Sequence, residues 1–227
     1  MRLPSFHHPP TETEPVGLAK YLDLFFTNAA PLLVTNLLFL LSCIPVVTSG
    51  PGLIALNRLV YTLMDGKKVD PVRDYFDELK KNLRFGFVIT LTLFPLMIWS
   101  LFMALSAYKS YVDHGTFLLQ FFFFVCLYVL SNCFAMYFLP LLTQMNTDKY
   151  TILTTAMKLC ILGLWRTILG GLGVSILSVL ILLSIPKSLP LLLLIHFSFS
   201  VYHCVFFSSA VIKKYICSED ERTSSSV

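Results

Sequence analysis

The feature that most constrains this chain is where its charges are missing. Intervals 24–57, 85–108, 114–147, 167–186 and 188–212 hold no Asp, Glu, Lys or Arg, and each is at least 20 residues long. A helix rising about 1.5 Å per residue needs roughly 20 apolar residues to cross a hydrocarbon layer about 30 Å thick. Lipid offers no partner for backbone N–H and C=O groups, so a spanning segment satisfies its own as a helix. Barrel strands would instead alternate over about ten residues, and runs such as FLLQFFFFVCLYVL (117–130) do not alternate. Composition agrees, with 56% of residues hydrophobic and 13% charged, against roughly a quarter charged in soluble domains. A formal charge of +4, scattered along the chain, gives no nucleic-acid footprint.

The expected fold class is therefore all-α, a polytopic transmembrane helical bundle. Its five long spans fall near 24–47, 85–108, 117–142, 163–185 and 190–212. One short interfacial or re-entrant helix, LIALNRLVYTLM (53–64), follows the Pro/Gly break CIPVVTSGPG (43–52). It is short and carries Arg58, and an Arg at a helix centre costs about 2.5–3.5 kcal/mol on insertion scales. The alternative is that this helix crosses back, giving six spans with both termini cytoplasmic. Segment 65–84, the stretch 143–166, which includes the 143–162 loop, and the residues from 213 onward carry twelve basic residues on one side, against Lys109 and Lys187 on the other. Basic loops stay cytoplasmic, so the C-terminus is expected inside.

The chain divides into an N-terminal arm (1–20), one membrane-embedded helical domain (21–215) and a polar C-terminal tail (216–227). The arm is Pro-rich and has no apolar run of signal-peptide length. Its His7 and His8 read as solvated side chains. Asp70 and Pro71 signal the start of an amphipathic helix over 70–84. Tyr75, Phe76, Leu79 and Leu83 form its apolar stripe, with Lys80, Lys81 and Arg84 meeting the inner leaflet. Basic side chains beside anionic lipid contribute about 1 kcal/mol each.

Two groups of residues stand out as candidate sites. Thr48, Gly50, Asn57 and Arg58 sit at the break, where Thr48 or Ser49 would cap a helix whose N-terminal N–H groups face an anion. This would be a ligand or lipid-headgroup contact; the competing reading is a packed turn with Arg58 snorkelling to phosphates. His196, Ser200 and His203 form a polar intramembrane face. Seven residues put the two His about 10 Å apart on one helix, too far for a single metal ion. Asn28, Asn36 and Asn132 are expected to bond neighbouring helices, and Gly163, Gly170, Gly171 and Gly173 allow close helix approach, within the chain or in a homo-oligomer. Six Cys form no CxxC pair. No nucleotide loop, GxSxG or HExxH is present, so neither enzyme activity, cofactor nor metal is expected.

Two stretches, 35–88 and 137–170, resemble the YesL family of bacterial membrane proteins, whose function is unknown. The matching positions are Asn36, Leu37, Pro45, Thr48, Gly50, Ala55 and Leu56; Phe76, Asn82 and Leu83; Leu139, Pro140 and Leu141; and Ala156, Arg166 and Thr167. Leu83 and Leu139 stand where the family usually has Phe. The resemblance implies a multi-pass protein of the bacterial cytoplasmic membrane. It also implies an accessory or regulatory role beside carbohydrate transport, with the lipid bilayer and a transporter or other membrane protein as partners. The alternative is a small transporter or channel in its own right.

Overall fold

The computed structural model describes residues 18–145, 148–184, 187–188, 190 and 192–224. Residues 1–17, most of the expected arm and both His7 and His8, lie outside them. Among the described residues, nine α-helices follow one another: α1 (Leu18–Thr27), α2 (Ala29–Cys43), α3 (Ser49–Met64), α4 (Pro71–Lys81), α5 (Leu83–His114), α6 (Leu118–Gln144), α7 (Lys149–Leu162), α8 (Leu164–Leu183) and α9 (Phe197–Ser224). A 3-10 turn (Val46–Thr48) precedes α3 and a π-helical turn (Leu192–His196) precedes α9. No strand occurs among the described residues.

Among the described residues, four helices are long and apolar enough to cross a membrane: α5, α6, most of α8, and Leu193–Tyr215. A fifth span exists if α1 and α2, bent by 68° at Asn28, count as one. α5 has the most apolar sequence of the four, yet only 22% of its most apolar window is buried. In water that arrangement would expose a large apolar patch of the kind soluble monomers avoid; in lipid it is the ordinary exterior. The apolar helices make this an integral membrane protein.

Local chemistry explains most boundaries. Asp70 accepts from the backbone N–H of Val72 and Arg73, and Pro71 opens α4, as its sequence signals predict. α4 runs almost directly into α5, interrupted only at Asn82, whose amide donates to the Glu78 carbonyl. α5 ends on Gly115 in the left-handed region (φ 67°), where a Cβ is disfavoured. Asp148 accepts from the Tyr150 N–H and starts α7.

Three expectations need correction. The first span is not one straight helix from 24 to 47, because it breaks at Asn28. The 143–162 segment is largely helical, forming α7, and not a loop. Most tellingly, of the two readings of the short helix α3 the interfacial one fails, because α3 does not lie half-exposed on a surface. Twelve of its sixteen residues are buried, and it packs on α2, α4, α5, α6 and α9. Leu56, Leu59 and Val60 join Leu32, Phe39, Tyr75 and Tyr202 in one core. Ile54, on another face, joins Ile89, Met136 and Tyr137 in a second. A helix buried all round is the axis of its fold.

Candidate functional site

At the α2–α3 break the chain has turned its polar groups on itself. Thr48 Oγ1 donates to the carbonyls of Ser42 and Pro45 and makes no cap to α3. The Gly50 N–H donates to Thr90 Oγ1 of α5 at 2.9 Å, and Thr90 in turn donates to the Gly86 carbonyl at 3.1 Å. Gly50 and Gly86 are where α3 and α5 cross, so closely that a Cβ on either would strike the other helix's backbone. Asn57, 2% exposed, donates to Leu53 of its own helix. Arg58 lies about 12 Å along the axis from Gly50. The four residues therefore do not converge on one ligand. Thr48 and Gly50 close the turn, and Arg58 alone opens on a cavity.

That cavity is a cleft of about 580 Å³ where α3, α4, α5, α6 and α7 meet. Arg58, Lys81, Arg84 and Lys149 line it, with Glu78 the one carboxylate in its wall. Glu78 is engaged by Lys81 at 3.7 Å and by the Asn82 amide at 3.1 Å. Half-buried Arg58 donates to the Thr143 carbonyl at 2.7 Å, near the C-terminal end of α6, where a cation is favoured. Lys149 sits 4.0 Å above the Phe85 ring. Among the described residues no carboxylate pairs with Arg58, Arg84 or Lys149. The sequence offered Arg58 alone as a candidate here, because its neighbours in the cleft come from segments far apart in the chain.

Beside the break, Tyr75 is the residue that periodicity could not single out from its stripe. It is fully buried, while Phe76 is 37% exposed. Its hydroxyl lies 2.8 Å from Ser42 Oγ and 3.3 Å from the Gly52 carbonyl. Burial pushes the Tyr75 phenol well above its usual range, so it stays neutral and able to donate.

The polar face of the last span is divided. His203 lies 3.3 Å from the Tyr21 hydroxyl through Nδ1 and packs against Gly173, Phe199 and Phe207. It borders an apolar groove between α1, α8 and α9. His196 Nδ1 and Ser200 Oγ are buried without a hydrogen-bond partner among the described residues. His196 and His203 thus serve different surroundings. No group of three His, Cys, Asp or Glu fit to hold a metal occurs among the described residues.

The intramembrane amides also separate. Asn36 bridges helices: its amide donates to the Leu193 carbonyl at 2.7 Å and its oxygen accepts from the Ser198 N–H at 3.0 Å. Asn28 and Asn132 instead donate to Leu24 and Tyr128 of their own turns, contrary to expectation. Replacing Asn36 with Leu removes its bonds to two backbone groups of another helix and is expected to cost about 1–2 kcal/mol. Asn132→Leu should cost much less, and thermal midpoints in detergent give the comparison. The expected glycine row packs within the chain, Gly170 on Met136, Gly171 on Cys133 and Gly173 on His203.

Residues 32–105, about a third of the chain from α2 into α5, match a family described as a protein of unknown function, DUF624. The matched segment holds the Gly50–Gly86 crossing, Tyr75 and Arg58. No curated protein and no solved structure matches the chain.

Proposed function

We propose that this chain is a non-enzymatic, multi-pass protein of a bacterial cytoplasmic membrane, acting as an accessory or regulatory component of a carbohydrate transport system. The observation that carries this reading is how three of the polar side chains inside the bundle are spent, even though His196 Nδ1 and Ser200 Oγ have no partner among the described residues. Asn36 holds the start of α9, Thr35 Oγ1 faces Ser198 Oγ at 3.3 Å, and Thr90 holds α3. A carrier needs side chains that can release one partner and take up solute; these are committed to holding helices together. The YesL resemblance supplies the bacterial and carbohydrate setting.

In this reading the C-terminus lies inside, with five spans and α3 as a protein-enclosed re-entrant helix. Asp65, at the end of α3, lies 3.4 Å from Lys213 of α9. The tail therefore shares one end of the bundle with the basic cleft, in keeping with basic segments staying cytoplasmic. The reading is tested by gene deletion and reconstitution together. Deletion is expected to lower carbohydrate uptake, while purified protein in proteoliposomes carries no solute across a broad panel. Unchanged uptake, or flux by the purified protein alone, overturns it.

A further inference from the structure

We propose that the cleft bounded by Arg58, Arg84 and Lys149 is a binding site for a phosphate-bearing anion at the membrane surface. Three observations point there. The first is charge: with Glu78 held by Lys81 and Asn82, three cations remain without a carboxylate among the described residues. A concave, low-dielectric wall lined by one sign of charge focuses its potential into the cleft.

The second is construction. Arg84 and Lys149 are exposed, but Arg58 and Lys149 are each held by a contact. Arg58 rises from the buried axis helix and is fixed by one bond to Thr143, which leaves most of its five donors for another acceptor. Lys149 is steadied over Phe85. Such a fork beside two further cations suits the several oxygens of a phosphate.

The third is place and size. The cleft lies where α5 begins and α6 ends, as shown by Arg84 and Phe85 on one wall and Leu142 and Thr143 on the other. Those are the points at which two apolar spans leave the hydrocarbon layer, and lipid phosphates lie at that depth. About 580 Å³ is the volume of an ordinary small-molecule site, room for a phosphate and the small polar group it carries. A lipid headgroup and a soluble phosphorylated compound both present this chemistry.

The full-length protein is placed in nanodiscs of phosphatidylcholine alone and titrated with inorganic phosphate by calorimetry. In parallel, detergent-purified protein is titrated with dioctanoyl phosphatidylglycerol. Saturable binding of at least one probe is expected, weakened roughly tenfold or more by Arg84→Gln with Lys149→Gln, which remove charge-assisted hydrogen bonds. Both side chains are exposed, so the double variant keeps its fold. Arg73→Gln, whose guanidinium faces Asp77 at 4.0 Å outside the cleft, is expected to bind as the parent does. Phosphate binding identifies a soluble ligand; binding of the lipid alone identifies a headgroup. The proposal is overturned if neither probe saturates, if the double variant binds as tightly as the parent, or if Arg73→Gln weakens binding equally. It stands independently of any role in transport.

Discussion

Gly86→Val is expected to abolish the folded, monodisperse protein altogether. Gly86 faces Pro51 across the α3–α5 crossing, and a Cβ there would lie within 2.5 Å of the Pro51 Cα and Cδ. Those atoms belong to a helix start enclosed on all sides, so no flexible side-chain end can swing away. The helices must part, and the Gly50 N–H loses Thr90. Overpacking alone costs about 1–3 kcal/mol, and a stranded buried donor adds about 1–3 kcal/mol, out of a total stability on the order of 5–15 kcal/mol. Two spans held apart also lose the van der Waals contact that drives association in lipid. Gly66→Ala is the contrast. Gly66 has nothing within 4 Å, and its positive φ alone makes a side chain cost about 1 kcal/mol. Fluorescence-detected size-exclusion of the detergent extract reads both: a lost peak for Gly86→Val, a retained one for Gly66→Ala. A sharp monomer peak for Gly86→Val would mean that the crossing is looser than its geometry.

Tyr75→Ala carries the second large effect, and its signature is local. Emptying a fully buried aromatic site costs about 3–5 kcal/mol. Here it also strips Ser42 and Gly52 of their shared hydroxyl partner. α4 is held to the α2–α3 hairpin chiefly by this ring, so its release should free the segment that carries Lys80, Lys81 and Arg84. Limited trypsin digestion should then cut between 80 and 84 at least tenfold faster than in the parent, since a local opening shifted by 1.4 kcal/mol already changes its population tenfold. Tyr75→Phe keeps the ring and is expected to lose about 1 kcal/mol. Phe76→Ala, on the half-exposed neighbour, should leave the digestion pattern near that of the parent; equal cleavage in Phe76→Ala and Tyr75→Ala would show that the stripe acts as a whole.

These residues mark where sequence reasoning succeeds and where it stops. The long spans are visible because burying a charge in lipid is costly, so their absence over 85–108 or 188–212 reports directly on the solvent. Asp70 and Pro71 announce α4 because capping is a matter of a few adjacent atoms. What lies beyond reach depends on contact between distant segments. Arg58 makes α3 look like a poor span and therefore an interfacial or re-entrant helix; the structure sends that guanidinium sideways to the end of α6, which lets the rest of α3 be enclosed. Asn36 and Asn132 look alike in their apolar surroundings, yet only one meets a broken backbone on another helix. Tyr75 and Phe76 are a single residue apart, and a 3.6-residue period cannot say which of two neighbours on a stripe points at a hydroxyl. The cleft draws Arg58 and Lys149 from positions far apart, so no local pattern contains it.

The bonds from α1 and α2 to α9 carry a consequence for how the protein is made. The Tyr202 hydroxyl donates to the Tyr21 carbonyl across 181 positions, and Asn36 meets Ser198 across 162. During synthesis the first segments enter the bilayer long before their partners leave the ribosome, at about 5–20 residues per second. Asn36 must wait in the insertion machinery with its amide unanswered, and the bundle closes only when the final helix arrives. The last bonds of the fold therefore form late, and a nascent polypeptide stalled before α9 would hold Asn36 and the Tyr21 carbonyl without these partners.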